Sequence, residues 1–209
     1  MAWLASFLRS RSYLRTKIFV ALVPALLLLG TAPLALGTTL VHMDLVALTR
    51  TANVVARARC LGNSTRWEDG HLWTLTRFAV VEAWKSPAQS LAPQIVVVRL
   101  VGGRDRRGTV SVDGVPRFRA GEEVVLFLEP SATPSGRNEL TVTSWAQGTF
   151  RIRRDPASRE EIAIQDTSVV DLLEPATQAL RAGGLRRMPL AELRQRVLQA
   201  AAGAGSTSP

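Results

Sequence analysis

Leu72-Trp73-Thr74-Leu75-Thr76-Arg77-Phe78-Ala79-Val80-Val81-Glu82-Ala83-Trp84 is the stretch on which the fold turns. Trp73, Leu75, Arg77, Ala79, Val81 and Ala83 alternate with Leu72, Thr74, Thr76, Phe78, Val80, Glu82 and Trp84. Threonine, valine and aromatic side chains suit a pleated, half-buried surface, so the stretch reads as one long strand, ended by Lys85-Ser86-Pro87. Upstream, Val54 to Leu61 alternates in the same way, and Gly62-Asn63-Ser64 opens a polar loop through Trp67, Asp69 and Gly70. Before it, Leu45, Leu48 and Ala52 recur at helical spacing behind Asp44, a good N-cap residue, which predicts a short helix.

Downstream, Ile95 to Val101 is a strongly apolar strand closed by Gly102-Gly103. Thr109–Val112 and Val115–Phe118 flank Asp113-Gly114, a favoured turn pair, and read as a hairpin or a strand with a tight turn. After the turn Ala120-Gly121-Glu122, the nearly continuous apolar run Glu123–Leu128 suits a strand buried on both faces. Pro130–Gly136 reads as a surface loop. Glu139–Trp145 and Thr149–Arg153 form the last expected pair, joined through Ala146-Gln147-Gly148. Strands at short intervals without interleaved long helices predict an all-β barrel or sandwich. Beyond Asp155 the texture turns polar and then weakly helical over Val169–Leu180, with a break at Gly183-Gly184. Leu190, Leu193, Val197 and Leu198 then share one face of an amphipathic helix, Leu190–Ala201.

The start of the chain gives an address. Arg9, Arg11, Arg15 and Lys17 precede an apolar run from Ile18 to Leu36, which ends in Ala35-Leu36-Gly37. Order and chemistry match a secretory signal peptide; the alternative is an uncleaved membrane anchor, with membrane association through residues 18–36. Both put the remainder across the membrane: secreted or periplasmic in the first case, tethered in the second. The organisation expected is therefore a leader over 1–37, a β-domain over 38–155, a helical extension over 156–202 and a disordered tail over 203–209.

The net charge is +9 over 209 residues, four units of it in the leader. The other cations are scattered, with clusters at Arg104-Asp105-Arg106-Arg107, Arg151–Arg154 and Arg186-Arg187, and lack the dense stripe with interleaved aromatics that a nucleic-acid surface shows. Cys60 is the one cysteine, so no intramolecular disulfide can form and packing must hold the fold; its place in the alternation of Val55–Leu61 reads as a buried small hydrophobe, with intermolecular pairing or lipidation as the alternatives. His42 and His71 are the one pair of histidines, too few for a zinc site without further cysteine ligands. Glu122 and Glu123, adjacent on a strand, point to opposite faces and cannot share a substrate. Ser64 and Ser144 lack a nucleophile-elbow context. No metal, cofactor or catalytic residue is expected.

Tryptophans carry the better lead. Trp67, Trp73, Trp84 and Trp145 fall at strand ends or in loops, and tryptophan is enriched at binding hot spots. Trp67, Asp69, His71, Trp73, Arg104 and Arg106 are the candidate partner-binding residues, on the 62–71 loop beside the 102–108 loop. Arg77 and Arg99 read either as recognition groups or as the solvent side of their strands.

Four segments carry a resemblance: Ala52–Ala58, Thr76–Lys85, Pro116–Leu128 with its Gly121-Glu122-Glu123 start, and Gln147-Gly148-Thr149-Phe150. Over residues 45–153 the chain resembles bacterial exported domains related to the netrin-like and tissue-inhibitor-of-metalloproteinases group. The resemblance implies an OB-like barrel of five to six strands with a short amino-terminal helix and a carboxy-terminal helix. Inhibitors of that group present an amino-terminal cysteine to a protease's zinc and brace it with disulfides. This chain has no cysteine near Thr38, so that mechanism is not carried over. The expected function is an exported, non-catalytic module binding a protein partner, an exported protease among the candidates. A membrane-anchored envelope scaffold or protease regulator is the alternative, and an unrecognised hydrolase ranks last.

Overall fold

A computed structural model describes residues 38–86, 94–131 and 138–205. The leader, Pro87, most of the 130–136 loop and the last four residues lie outside the described residues. Thirteen strands and two α-helices are described in order. They are β1 (Thr39–Val41), α1 (Leu45–Thr51), β2 (Val54–Glu68), β3 (His71–Lys85), β4 (Ile95–Val101), β5 (Gly103–Arg104), β6 (Thr109–Val110), β7 (Glu123–Pro130) and β8 (Leu140–Val142), then a 3-10 turn (Trp145–Gly148), β9 (Thr149–Arg154), β10 (Glu161–Asp166), β11 (Asp171–Leu173), β12 (Leu180–Ala182), β13 (Leu185–Pro189) and α2 (Leu190–Gly205). The chain is mostly β, as the alternation predicts, and the helices expected behind Asp44 and from Leu190 both form. No described helix is long and apolar enough to cross a membrane.

The main sheet runs β13-β10-β9-β7-β2-β3-β4-β8, and β8 also pairs back onto β7. Five strands, β7-β2-β3-β4-β8, thus form a partly closed ring, with β9, β10 and β13 extending from it. Closure is slender: β4 meets β8 in parallel at one position, Val98 opposite Leu140. A small sheet, β1-β11-β12, joins the start of the described chain to residues 171–182.

Strand β7 explains why the sheet is covered on both faces. Val124, Leu126 and Leu128 point into the ring with Cys60, Phe78, Val96, Val98 and Phe118. Val125 and Phe127 point the other way, packing with Phe150 and with Leu48, Leu193 and Val197 of the helices. All five β7 side chains are fully buried, each worth about 1.5–3 kcal/mol against exposure. The continuous apolar run is the mark of this two-sided burial.

Four expectations need correction. Residues 62–71 are not a loop: β2 continues to Glu68 and pairs with β3 down to Glu68 opposite His71. The turn is Asp69-Gly70, both left-handed at φ +50° and +76°, as a two-residue hairpin requires. A bulge between Cys60 and Gly62 breaks the alternation there and hides the strand's second half. Second, Val115–Phe118 is not a strand; β6 pairs with β5 instead. Third, β8 and β9 do not pair with each other but each pairs with β7.

Fourth, residues 156–189 are strands, not a helical extension. β10 pairs with β9 and β13, so the boundary drawn at 155 falls between two paired strands. Val169–Leu180 forms no helix: Asp171–Leu173 pairs with Thr39–Val41, Pro175 interrupts, and the chain reverses into β12. The helix α2 runs on through Gly205, so the tail expected from 203 begins helically.

Candidate functional site

The upper half of the β2–β3 hairpin has two unlike faces, because residues directly opposite in an antiparallel pair share a face. Asn63 opposite Thr76, Thr65 opposite Thr74 and Trp67 opposite Leu72 continue the inner face of the ring. Ser64 opposite Leu75, Arg66 opposite Trp73 and Glu68 opposite His71 lie outside.

On the inner face the apolar core gives way to a polar cleft of about 360 Å³ at the mouth of the ring. Thr76 Oγ1 donates to Asn63 Oδ1 at 2.6 Å, and Asn63 Nδ2 donates to the Phe118 carbonyl at 2.8 Å. Thr74 Oγ1 donates to the Gly102 carbonyl at 2.6 Å. Arg104 and Arg117 stand at the rim, with Phe118 as an apolar wall. The chain can fold back here because Gly102 is left-handed at φ +86° and a Cβ on it would lie 2.7 Å from the Val110 carbonyl.

That return carries the 104–108 tip over the hairpin. Trp67 Nε1 donates to Asp105 Oδ2 at 2.6 Å. Asp105 Oδ1 accepts the Arg107 and Gly108 amides at 2.8 and 3.1 Å. The Trp67 bond, followed by the two amides, holds the Asp105 carboxyl below its ordinary range. Asp105 is thus a pin, and Arg104, Arg106 and Arg107 are displayed around it with their side chains exposed. Among the described residues no carboxylate pairs with Arg104 or Arg106.

The outer face is a different environment. Arg99, 3% exposed, lies with its guanidinium carbon 3.8 Å from the Trp73 ring centroid and donates to Glu68 at 2.8 Å. Arg66 bonds Glu139 at 2.9 Å. Arg99 is therefore neither a recognition group nor on the solvent side; Arg77 is exposed. Buried charges of this kind persist through pairing, and the cluster fixes the hairpin against the segment before β8.

The six sequence candidates consequently divide. Trp67, Arg104 and Arg106 gather at the cleft and its tip. Trp73 and His71 sit together on the outer face, ring centroids 6.4 Å apart, and Asp69 forms the turn between. Among the other tryptophans, Trp84 is buried in the helix-side core and Trp145 starts the 3-10 turn. His42 Nδ1 lies 3.0 Å from Glu174. Glu122 and Glu123 do diverge, the first to Arg151 and the second to Arg57 and Arg59.

Sequence reasoning missed Asn63, Thr74, Thr76, Phe118 and Asp105. The Asp69-Gly70 pair was the signal that could have found the hairpin and its polar inner face. His71 lies on the opposite face of the hairpin from the cleft hydroxyls and does not meet them. Among the described residues no group of three or more metal-ligating side chains comes together. No family model matches the chain, and no curated protein compared with it matches.

Proposed function

We propose that this chain is an exported, non-catalytic binding module whose OB-like barrel grips an acidic segment of a protein partner at the cleft. The carrying observation is the pinned tip: Asp105, held by Trp67, presents Arg104, Arg106 and Arg107 beside a cleft of oriented hydroxyls. Arg104 and Arg106, which among the described residues pair with no carboxylate, favour an anionic surface, and the exposed Trp67 adds apolar area.

The OB-like assignment is supported by the ring itself. Counting its strands in chain order, the first pairs with the second and fourth, the third pairs with the second, and the fifth runs parallel to the third. OB barrels use the second and third strands and the neighbouring loops for extended ligands. Export rests on the leader's sequence, and kinship with the netrin-like and tissue-inhibitor-of-metalloproteinases group on the four quoted segments. An exported protease is one partner of this kind, engaged without a cysteine wedge.

Immobilised full-length chain exposed to an envelope and secreted-protein extract tests the reading. Proteins retained by the wild type should be released as salt shortens the screening length from about 10 to about 3 Å between 0.1 and 1 M. They should not be retained by Arg104→Glu/Arg106→Glu. Equal retention by that variant would refute the proposed surface, and no retention at all would refute the binding module.

A further inference from the structure

A second cleft, of about 440 Å³, lies between the small sheet and the end of the main one. Its floor is polar: Gln147, Gln165 and Thr167 are 1%, 7% and 5% exposed. Gln165 faces it together with Arg186, its opposite neighbour in β13, and Leu172 together with Arg181 in β12. The two arginines are exposed, and among the described residues neither pairs with a carboxylate.

Their strands are joined by a locked turn. Gly183 donates to the Val170 carbonyl at 2.9 Å, and Gly184 exchanges bonds with Thr167, its amide to Oγ1 at 3.0 Å and its carbonyl from the Thr167 amide at 2.9 Å. A Cβ on Gly183 would collide with the Thr167 carbonyl. Arg181 and Arg186 therefore flank a short, bonded connection, and both line the cleft. Of the acids nearby, Asp44 is at the cleft wall, where it accepts the Ala47 amide at 2.7 Å as the cap of α1, and Glu174 pairs with His42.

We infer that this cleft is a phosphate-binding site, with Arg181 and Arg186 as the clamp. Two guanidinium forks match the geometry of phosphate oxygens, which accept charge-assisted, bidentate bonds. The phosphate comes either from a soluble phosphorylated ligand or from the headgroup of an anionic lipid. The inference is independent of the first cleft, which lies at the mouth of the ring.

The test titrates full-length chain in micelles with inorganic phosphate, matched to chloride in ionic strength, following the amide signals of Thr167, Gly183 and Gly184. Saturable shifts are expected. Arg181→Gln/Arg186→Gln should weaken binding by about tenfold or more, whereas Arg187→Gln, on the opposite face of β13, should stay within about twofold. Because all three arginines are exposed, the unfolding midpoint without phosphate should be unchanged in each variant. Phosphatidylglycerol and phosphatidylcholine vesicles then separate the sources. Preference for the former that disappears in the double variant assigns a lipid headgroup; saturable phosphate binding without that preference assigns a soluble ligand. Non-saturating shifts, or equal binding by the wild type and the double variant, overturn the inference.

Discussion

Gln147 is the residue on which the amino-terminal segment hangs. Its Oε1 accepts the Met43 amide at 2.9 Å, and its Nε2 donates to the Val41 carbonyl at 2.8 Å. Its own carbonyl accepts from Gln165 at 2.6 Å. Gln147 is 1% exposed, and Gln147→Ala removes both bonds to the part-buried Met43–Val41 backbone, which costs about 1–2 kcal/mol. Hydrogen exchange should speed up at Met43 well before it does at β7; unchanged exchange at Met43 would dissociate Gln147 from this role. Nothing in the local sequence around Gln147 announces it, because the segment it holds lies 104–106 positions away in the chain. Cys60 was easier: alternation predicts a buried thiol, and it is 1% exposed, with burial pushing its pKa upward.

At the scale of elements, Lys85 does for α1 what Asp44 does at its other end. Its ammonium donates to the carbonyls of Thr49, Arg50 and Ala52 at 2.7, 3.2 and 2.5 Å. A cation there satisfies orphan carbonyls and complements the helix dipole. Lys85→Met should lower stability by about 1–2 kcal/mol, read as a lower urea midpoint with an unchanged slope; no change would make the cap ornamental. Short-range rules found α1, α2, β3, β4 and β7, where capping or periodicity is contained within one element. They failed where pairing decided the outcome. The stretch 169–180 has apolar positions compatible with a helix, and a parallel strand partner at Thr39–Val41 settles it as β. The second half of β2 was lost because one bulge shifted its parity.

Over the whole molecule, ion pairs tie the ring to its extension. Arg57 in β2 donates to Glu123 in β7 at 2.7 Å and to Glu161 in β10 at 2.8 Å. Its hydrogen bond to Glu123, with that of Arg59, holds the Glu123 carboxyl below its ordinary range. A carboxylate whose folded pKa lies below its unfolded value stabilises fully above the unfolded value, about 4.3 for glutamate, and loses that contribution as pH falls through the folded one. The urea midpoint should therefore hold from about pH 7 to 5 and fall below about pH 4. Glu123→Gln should lower it at neutral pH and flatten the acid decline; an unaltered acid profile would relieve Glu123 of this role. The all-β class was legible in the sequence, since alternation is local. The two-sided burial of β7 was legible as well, from its unbroken apolar run; how the ring closes and where the cleft lies were not, because each depends on which distant strands meet.

The central claim is that the inner face of the hairpin binds and the outer face supports. Trp67→Ala and Trp73→Ala, compared side by side for partner capture and thermal midpoint, test it most directly. Trp67→Ala should lose the captured proteins and keep its midpoint within about 2 °C, while Trp73→Ala, which uncovers Arg99, should fall by about 5 °C. Capture that survives in Trp67→Ala would contradict the account.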